Sequence, residues 1–217
     1  SAGFHGAPMI VEAARPWCSD LTRRHKWPIA LAMLDGAHVS VRFSTIPDSP
    51  VSPFHATLNM RLSLVSRALG RAYLACCPDE EREILVQSLK KSANPEDKPT
   101  NLEATVAGVR SFVAKHGYAI RDPHVEPKNS STIAMPIFHG DRVLATIGLT
   151  YFRSAVSTAN LEEVLAPSLR EAVDGIEASF RMLTSGRPAS ALEDDRNSSG
   201  LAEQEVAFPG IGSGRLR

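Results

Sequence analysis

Two pairs of short apolar segments, each joined by a glycine-containing turn, place the strictest limit on what this chain can fold into. In the first pair, PIALAML (28–34) and HVSVRFS (38–44) lie on either side of an Asp-Gly turn. In the second pair, STIAMPIF (131–138) and RVLATIGLTYF (142–152) flank a His-Gly-Asp turn. Turns of this kind join neighbouring antiparallel strands, whereas parallel strands need a long crossover. The sequence therefore predicts two β-hairpins in a mainly antiparallel sheet.

Segments with helical spacing of apolar residues surround the two hairpins. The first runs from about 8 to 25, and Pro16 is expected to kink it or to split it in two. Further helices are predicted at 66–77, 79–91, 101–115 and 160–183. Helices in this order pack on the faces of an antiparallel sheet, so the predicted fold class is α+β.

The charge, the cysteines and the polar C-terminal segment limit the kind of protein that this chain can be. The sequence has 24 Lys and Arg against 24 Asp and Glu without a dense basic run, which argues against nucleic-acid binding by this segment alone. No apolar run approaches the roughly 20 residues of a membrane span. Three cysteines, two of them adjacent, form no disulfide framework and indicate a reducing, cytoplasmic location. Residues 1–183 are predicted to form one domain, followed by a polar tail, 184–217, that is flexible unless it docks on a neighbour.

Motifs that would indicate catalysis or metal binding are absent or weak. GIGSG (210–214) resembles a phosphate loop, but it follows no strand and begins no helix. His124 and Glu126 could share a strand face as metal ligands, yet no third ligand stands at a suitable spacing. Cys76 and Cys77 point about 100° apart on a helix and so do not face one ligand. The sequence predicts no catalytic residue, no metal and no cofactor.

The helix predicted from residue 66 has an unusually small face. Ala68, Ala72, Ala75 and Cys76 fall on one stripe, and Gly70 costs about 1 kcal/mol relative to alanine in a helix. One interpretation is that another element packs closely against this face. The other is that the backbone N–H groups at the helix start are kept uncrowded to hold an anionic ligand. The two are compatible because they concern different turns of the helix.

Five segments, in order, resemble the effector-binding domain of IclR-family transcriptional regulators. They are SAGF before the first helix, LAMLDGAHVSV, ALGRAYLACCPDEERE, VRSFVAKHGYAIRD and STIAMPIFHGDRVLATIGLTY, and the resemblance spans about residues 1–183. It implies a GAF-like sheet with helices on its faces. It also implies a winged helix-turn-helix domain before this segment, which begins without Met, so that operator DNA is contacted only through that missing domain. Family members form dimers that pair into tetramers, so a homodimer or homotetramer without membrane contact is expected.

Four short segments, less specific than the family motifs, resemble one subgroup, the regulators of aromatic-acid catabolism of the hydroxyphenylpropionate type. They are Trp27-Pro28, SPFHATLNMRLSLV (52–65), LACCP (74–78) and the final GIGSGRLR (210–217). The resemblance implies that a small, aromatic carboxylate is the effector and that the regulator controls a catabolic operon.

The resemblance also implies nine effector-binding residues: Phe54, Leu62, Arg67, Ala68, Leu69, Asp122, Thr132, Gly148 and Thr150. Ala68 and Leu69 correspond to positions whose backbone amides hold the carboxylate in family members. Asp122 corresponds to an acidic residue of the family, and Thr132 to a small polar residue that begins a strand. These four are expected to form the polar end of the pocket.

The remaining positions form the wall of the implied pocket and include departures from the family. Gly148 and Thr150 correspond to two serines, so one hydroxyl is lost, and we expect a larger, more apolar acid than glyoxylate or pyruvate. Leu62 falls on an apolar wall, with Phe54 a less certain companion. Arg67 stands where a small residue is usual, and it either adds a cation to the carboxylate site or points to solvent.

Three functions stay open at this level. The first is a ligand sensor whose bound carboxylate biases the quaternary arrangement of the regulator, with the helix at 158–183 and the tail in the subunit contact. The second is an enzyme on a GAF-like sheet, with Asp122 or a cysteine as its only candidate base or nucleophile. The third is a ligand-independent dimerisation module whose pocket is filled by side chains.

Overall fold

The computed structural model describes residues 3–53 and 55–185. The strands are β1 Ile29–Asp35, β2 His38–Ser44, β3 Arg61–Ser63, β4 Ala119–Ile120, β5 Ser130–His139 and β6 Arg142–Phe152. The helices are α1 Gly3–His25, α2 Ala68–Cys76, α3 Asp79–Lys90, α4 Leu102–His116, α5 Thr158–Asn160 and α6 Ala166–Thr184, and a π-helical turn, Leu161–Leu165, joins the last two. Phe54 and the predicted tail from 186 onward lie outside the described residues.

The strands form one sheet in the order β3-β2-β1-β6-β5-β4, and every neighbouring pair is antiparallel. Both predicted hairpins are confirmed, with Asp35 opposite His38 in the first and His139 opposite Arg142 in the second. Pairing between β1 and β6 joins the hairpins into a continuous sheet. The predicted antiparallel sheet is therefore confirmed.

Helices cover both faces of this sheet. α1 and α6 pack on one face, and α2 and α4 pack on the other. The alternation of side chains along β1 supplies both layers, since Leu31 is buried in the core beneath α1 and α6 while Ala32 is buried in the core beneath α2. This arrangement confirms the α+β fold class and explains why the central strands are apolar in sequence on both sides.

The first helix is continuous through Pro16, the second of its two internal prolines. α1 runs unbroken from Gly3 to His25, so the expectation that Pro16 splits it is wrong. Proline removes the hydrogen bond to the carbonyl four residues earlier, which belongs to Glu12. Both Pro16 and Glu12 are exposed, so water can reach the freed carbonyl. Packing of the opposite, buried face of α1 then holds the helix together.

The glycine near the start of α2 is explained by close packing. A Cβ at Gly70 would lie 2.0 Å from the carbonyl oxygen of Ser63 and 2.6 Å from the Cα of Leu64, distances that real side chains do not reach. The first turn of α2 therefore rests directly on the backbone at the end of β3. One turn later, Ala72 is fully buried against the sheet. Of the two interpretations of the small face, close packing accounts for Gly70 and Ala72.

This packing predicts opposite effects of the same substitution in two helices. Gly70→Ala should lower the free energy of unfolding by about 3 kcal/mol or more, because the new methyl group meets rigid backbone. Gly108→Ala in α4 is the matched control, since nothing lies within 4 Å of the added Cβ. Gly108→Ala should raise stability by up to about 1 kcal/mol through helix propensity. Urea denaturation of both variants measures these changes, and equal stability of the two would contradict the packing at Gly70.

Candidate functional site: a cavity at the start of helix α2

A cavity opens between the sheet and the first residues of α2. Its lining comes from β1, β2, β3, β5 and β6, from the segments before β1 and between β2 and β3, from the residue after β4 and from the start of α2. The lining residues are Pro28, Ile29, Ala30, Val41, Ser44, Ile46, Thr57, Met60, Leu62, Arg67, Ala68, Leu69, Arg121, Thr132 and Thr150. The free space among these residues is about 560 Å³ with its mouth included, but the volume of the cavity itself is only about 50 Å³. The cavity is therefore narrow, with a mainly apolar wall.

The structure brings most of the sequence-predicted site residues to this one cavity. Those that line it are Leu62, Arg67, Ala68, Leu69, Thr132 and Thr150. Gly148 lies behind Leu69, because a Cβ there would approach the Leu69 Cδ2 to 3.1 Å. Asp122 is outside the lining, and Phe54 is outside the described residues.

The start of α2 presents backbone N–H groups to the cavity. The first N–H groups of any helix have no carbonyl acceptor within the helix. Within the described part of the chain, no acceptor bonds the backbone N–H of Ala68 or Leu69. Both residues line the cavity, and the helix dipole adds positive potential at this end. This end of the cavity can therefore donate hydrogen bonds to an anionic group.

Two threonines supply hydroxyl groups on the sheet side of the cavity. Thr132 on β5 stands directly opposite Thr150 on β6, and their hydroxyl oxygens are 2.9 Å apart. Either hydroxyl can donate to the other, so one proton of the pair is available to a further acceptor. The adjoining wall is apolar, with Leu62, Val41 and Ile46.

Arg67 forms a bridge at the edge of the cavity. Its guanidinium donates two hydrogen bonds to the Glu96 carboxylate, at 2.8 and 2.5 Å, and a third to the carbonyl of Glu126 at 3.2 Å. Ser66 donates to the same carboxylate at 2.9 Å. Neither sequence alternative describes this residue fully, because Arg67 lines the cavity while its charge is neutralised by Glu96.

Asp122 fixes the loop after β4 to α2. Its carboxylate accepts hydrogen bonds from Arg71 at 2.8 Å and from the backbone N–H of His124 at 2.9 Å, and its own backbone N–H donates to the carbonyl of Ser66. Burial acts to raise the pKa of Asp122, but the hydrogen bonds from His124 and the charge of Arg71 outweigh it, so the pKa is lowered. Asp122 is thus an ionised, paired carboxylate beside the cavity.

Arg121 lines the cavity and was missed by the sequence reasoning. Its side chain is buried, with the residue 2% exposed. Nη2 donates to the carbonyls of Pro127 and Ser130, whereas Nε and Nη1 have no hydrogen-bond partner among the described residues. Alternation along YAIR was the available signal, because it places position 121 on the same side as Ala119, which is buried beneath α2.

The groups considered for other chemistry are engaged elsewhere or unreactive. Burial raises the pKa of the Cys18 thiol to about 12 and that of Cys77 to about 11, so neither is a ready thiolate nucleophile. His124 contacts Asp122, and the described residues contain no cluster of three or more potential metal ligands. No helix in the described segments is long and apolar enough to cross a membrane.

Comparison with known families decides the affiliation of the chain. The family described as "Bacterial transcriptional regulator IclR C-terminal" matches residues 6–178. The chain belongs to the IclR family. This confirms the resemblance at the level of the family and of the effector-binding domain. The family is one of non-enzymatic regulators, so the alternative of an enzyme on this sheet is dropped.

Solved structures of IclR-type regulators share this fold. The IclR protein of Thermotoga maritima is 21% identical, with a TM-score of 0.67 over 79% of this chain and 68% of that chain. An IclR homologue from Microbacterium hydrocarbonoxydans, complexed with 4-hydroxybenzoate, is 21% identical with a TM-score of 0.64 over 81% and 69%. The inducer-binding domain of the PobR transcription factor from Acinetobacter, a double mutant complexed with 3-hydroxybenzoic acid, is 18% identical with a TM-score of 0.63 over 76% and 96%. At these identities the likeness establishes the fold.

The Arg67–Glu96 bridge predicts a pH dependence of stability. Hydrogen bonds from Arg67 hold the pKa of Glu96 below its ordinary value of 4.5. A carboxyl with a lowered folded pKa stabilises the fold above its unfolded pKa, and that contribution is lost as the pH falls through the folded value. We expect the urea midpoint of the wild-type chain to fall more than that of Glu96→Gln between about pH 5 and about pH 3.

Glu83→Gln is the control for this measurement, because Glu83 is exposed on α3 and forms no ion pair with any described residue. It should follow the wild-type pH profile. If Glu96→Gln also followed that profile, the bridge would not contribute to stability.

Proposed function

We propose that this effector-binding domain senses a small aromatic carboxylate, held in the cavity at the start of α2. The observation that carries the proposal is the pair of unbonded backbone N–H groups at Ala68 and Leu69, two residues that line a cavity with a mainly apolar wall. A carboxylate there would accept hydrogen bonds that the helix itself cannot satisfy and would meet the positive end of its dipole.

The rest of the cavity suits an aromatic body. Leu62, Val41 and Ile46 offer apolar contacts, and the Thr132–Thr150 pair offers one hydroxyl proton and free acceptor lone pairs for a ring hydroxyl. Because the cavity is narrow, a ring enters only when wall side chains move, and Met60 and Leu62 are partly exposed side chains of that wall.

The relatives that bind aromatic acids support the same class of ligand. The Microbacterium homologue binds 4-hydroxybenzoate, and the PobR domain binds 3-hydroxybenzoic acid. Both are distant from this chain in sequence. With the four segments that resemble the aromatic-acid subgroup, they favour hydroxybenzoates and hydroxyphenylpropionates as the first acids to test, and a catabolic operon as the target of regulation.

The proposed sensor acts through the assembly of the full-length protein. Ligand binding shifts the equilibrium between quaternary arrangements of a homodimer or homotetramer, and a DNA-binding domain of the full-length protein carries the change to the operator. The proposed location is the cytoplasm, where free thiols such as Cys18 and Cys76 persist.

The proposed assembly has a direct measurement. Multi-angle light scattering of the purified chain should give a mass of two or four times 23.4 kDa. Val164, an exposed apolar residue in the turn before α6, is a candidate contact. Val164→Glu should lower the mass, whereas Ile84→Glu on α3, where the apolar residue is also exposed, serves as the control and should leave the mass unchanged. A monomer at all concentrations would contradict this part of the proposal.

Proline at position 68 tests the carboxylate site directly. Ala68 is the first helical residue, and the extended backbone of Arg67 before it accepts a following proline, so Ala68→Pro removes one N–H while keeping the helix. Loss of one hydrogen bond to a charged group should weaken binding of 4-hydroxybenzoate or 3-(3-hydroxyphenyl)propionate by about 10- to 100-fold in calorimetry.

Ala68→Val is the matched control, since it adds similar bulk and keeps the N–H. It should bind the acid more tightly than Ala68→Pro. If the two variants bound equally well, the backbone N–H would not hold the carboxylate. If the wild-type chain bound no aromatic acid in this panel, the proposed ligand class would be wrong.

A further inference from the structure

We infer that Arg121 is the residue that makes this cavity select anions over neutral molecules of the same shape. The inference rests on the proposed function, because it concerns the same cavity. Arg121 is not among the nine effector-binding residues expected from the sequence, and its side chain would meet the carboxylate end of the ligand.

The backbone of Arg121 is fixed beside the sheet, and its side chain reaches inward. Its N–H donates to the carbonyl of Thr132 at 3.0 Å, which continues the pairing of β4 with β5. Nη2 is held by the carbonyls of Pro127 and Ser130 and by the Ser130 hydroxyl. The guanidinium is therefore anchored at one nitrogen while it lines the cavity.

The buried guanidinium of Arg121 forms no direct ion pair with any described carboxylate, although the charge of Glu126 attracts it from a distance. Asp122 is paired with Arg71, and Glu96 is paired with Arg67. Glu126 is exposed and contacts Lys128. A buried cation that lacks an anion is strongly disfavoured, and its pKa falls instead. Burial does lower the pKa of Arg121 to about 10, and repulsion by Arg67 and Arg153 adds to the effect.

The guanidinium of Arg121 keeps N–H groups that donate no hydrogen bond, and an anion could accept hydrogen bonds from them. Nε and Nη1 have no partner among the described residues, and Arg121 lines the same cavity as Ala68 and Leu69, whose backbone N–H groups are unbonded. Backbone amides and a guanidinium together favour a carboxylate over a neutral amide, since only the carboxylate neutralises the charge. Arg67 does not supply this selectivity, because Glu96 already neutralises it.

The experiment compares an acid with its uncharged analogue in wild-type and variant chains. Calorimetric affinities are measured for 4-hydroxybenzoate against 4-hydroxybenzamide, and for 3-(3-hydroxyphenyl)propionate against its amide. The wild-type chain should prefer the acid by roughly 100-fold, and Arg121→Gln should reduce that preference to below about 10-fold. The ratio of the two affinities is used because a distorted pocket would weaken the binding of acid and amide alike and would leave their ratio unchanged.

Arg153→Gln is the matched control. Arg153 is an exposed neighbour that donates to the carbonyl of Ser130, and it does not line the cavity, so its variant should keep the wild-type ratio. An unchanged acid preference in Arg121→Gln would overturn the inference and leave the proposed function standing. Equal affinity of the wild-type chain for acid and amide would overturn it even where Arg121→Gln fails to fold. No binding of either acid by the wild-type chain would overturn both proposals.

Discussion

Gly70 brings the first turn of α2 against the backbone of Ser63 and Leu64, with no space for a Cβ between them. This contact sets the height of the helix start above the sheet. Because α2 begins here, its unbonded N–H groups at Ala68 and Leu69 meet the cavity rather than bulk solvent. The bridges from Arg67 to Glu96 and from Arg71 to Asp122 hold neighbouring loops against the same helix. The cavity thus depends on one close packing contact and on the ion pairs that surround it.

Among the described residues, the arginines around α2 fall into two groups, those paired with a carboxylate and the one that is free to bind a ligand. Arg67 and Arg71 are each paired with a carboxylate, so their charges stabilise the fold and are not available to a ligand. Arg121 is buried without such a partner among the described residues, and it stands in the cavity lining. A fold that carries an uncompensated buried charge pays for it in stability. An anionic effector would relieve that cost, which couples the occupancy of the cavity to the stability of the domain.

The fold followed from sequence where the signals are local. Turn residues and alternation predicted both hairpins, and they do not depend on distant contacts. The effect of Pro16 was predicted wrongly, because exposure of the Glu12 carbonyl depends on which face of α1 is buried. The small face with Gly70 indicated close packing, and alternation along YAIR was a signal for the buried side of Arg121, but neither pattern identifies the partner. The partner of Gly70 is the backbone of Ser63, and that of Arg121 is the loop at 127–130.

The start of α2 and Arg121 are proposed to hold an anion together, and nuclear magnetic resonance tests this most directly. In a ¹⁵N-labelled chain, the amide signals of Ala68 and Leu69 and the Nε–H signal of Arg121 are followed during titration with 4-hydroxybenzoate. We expect all three signals to move together and to saturate at one dissociation constant. Saturable binding that leaves these three signals unchanged, while signals elsewhere move, would contradict it.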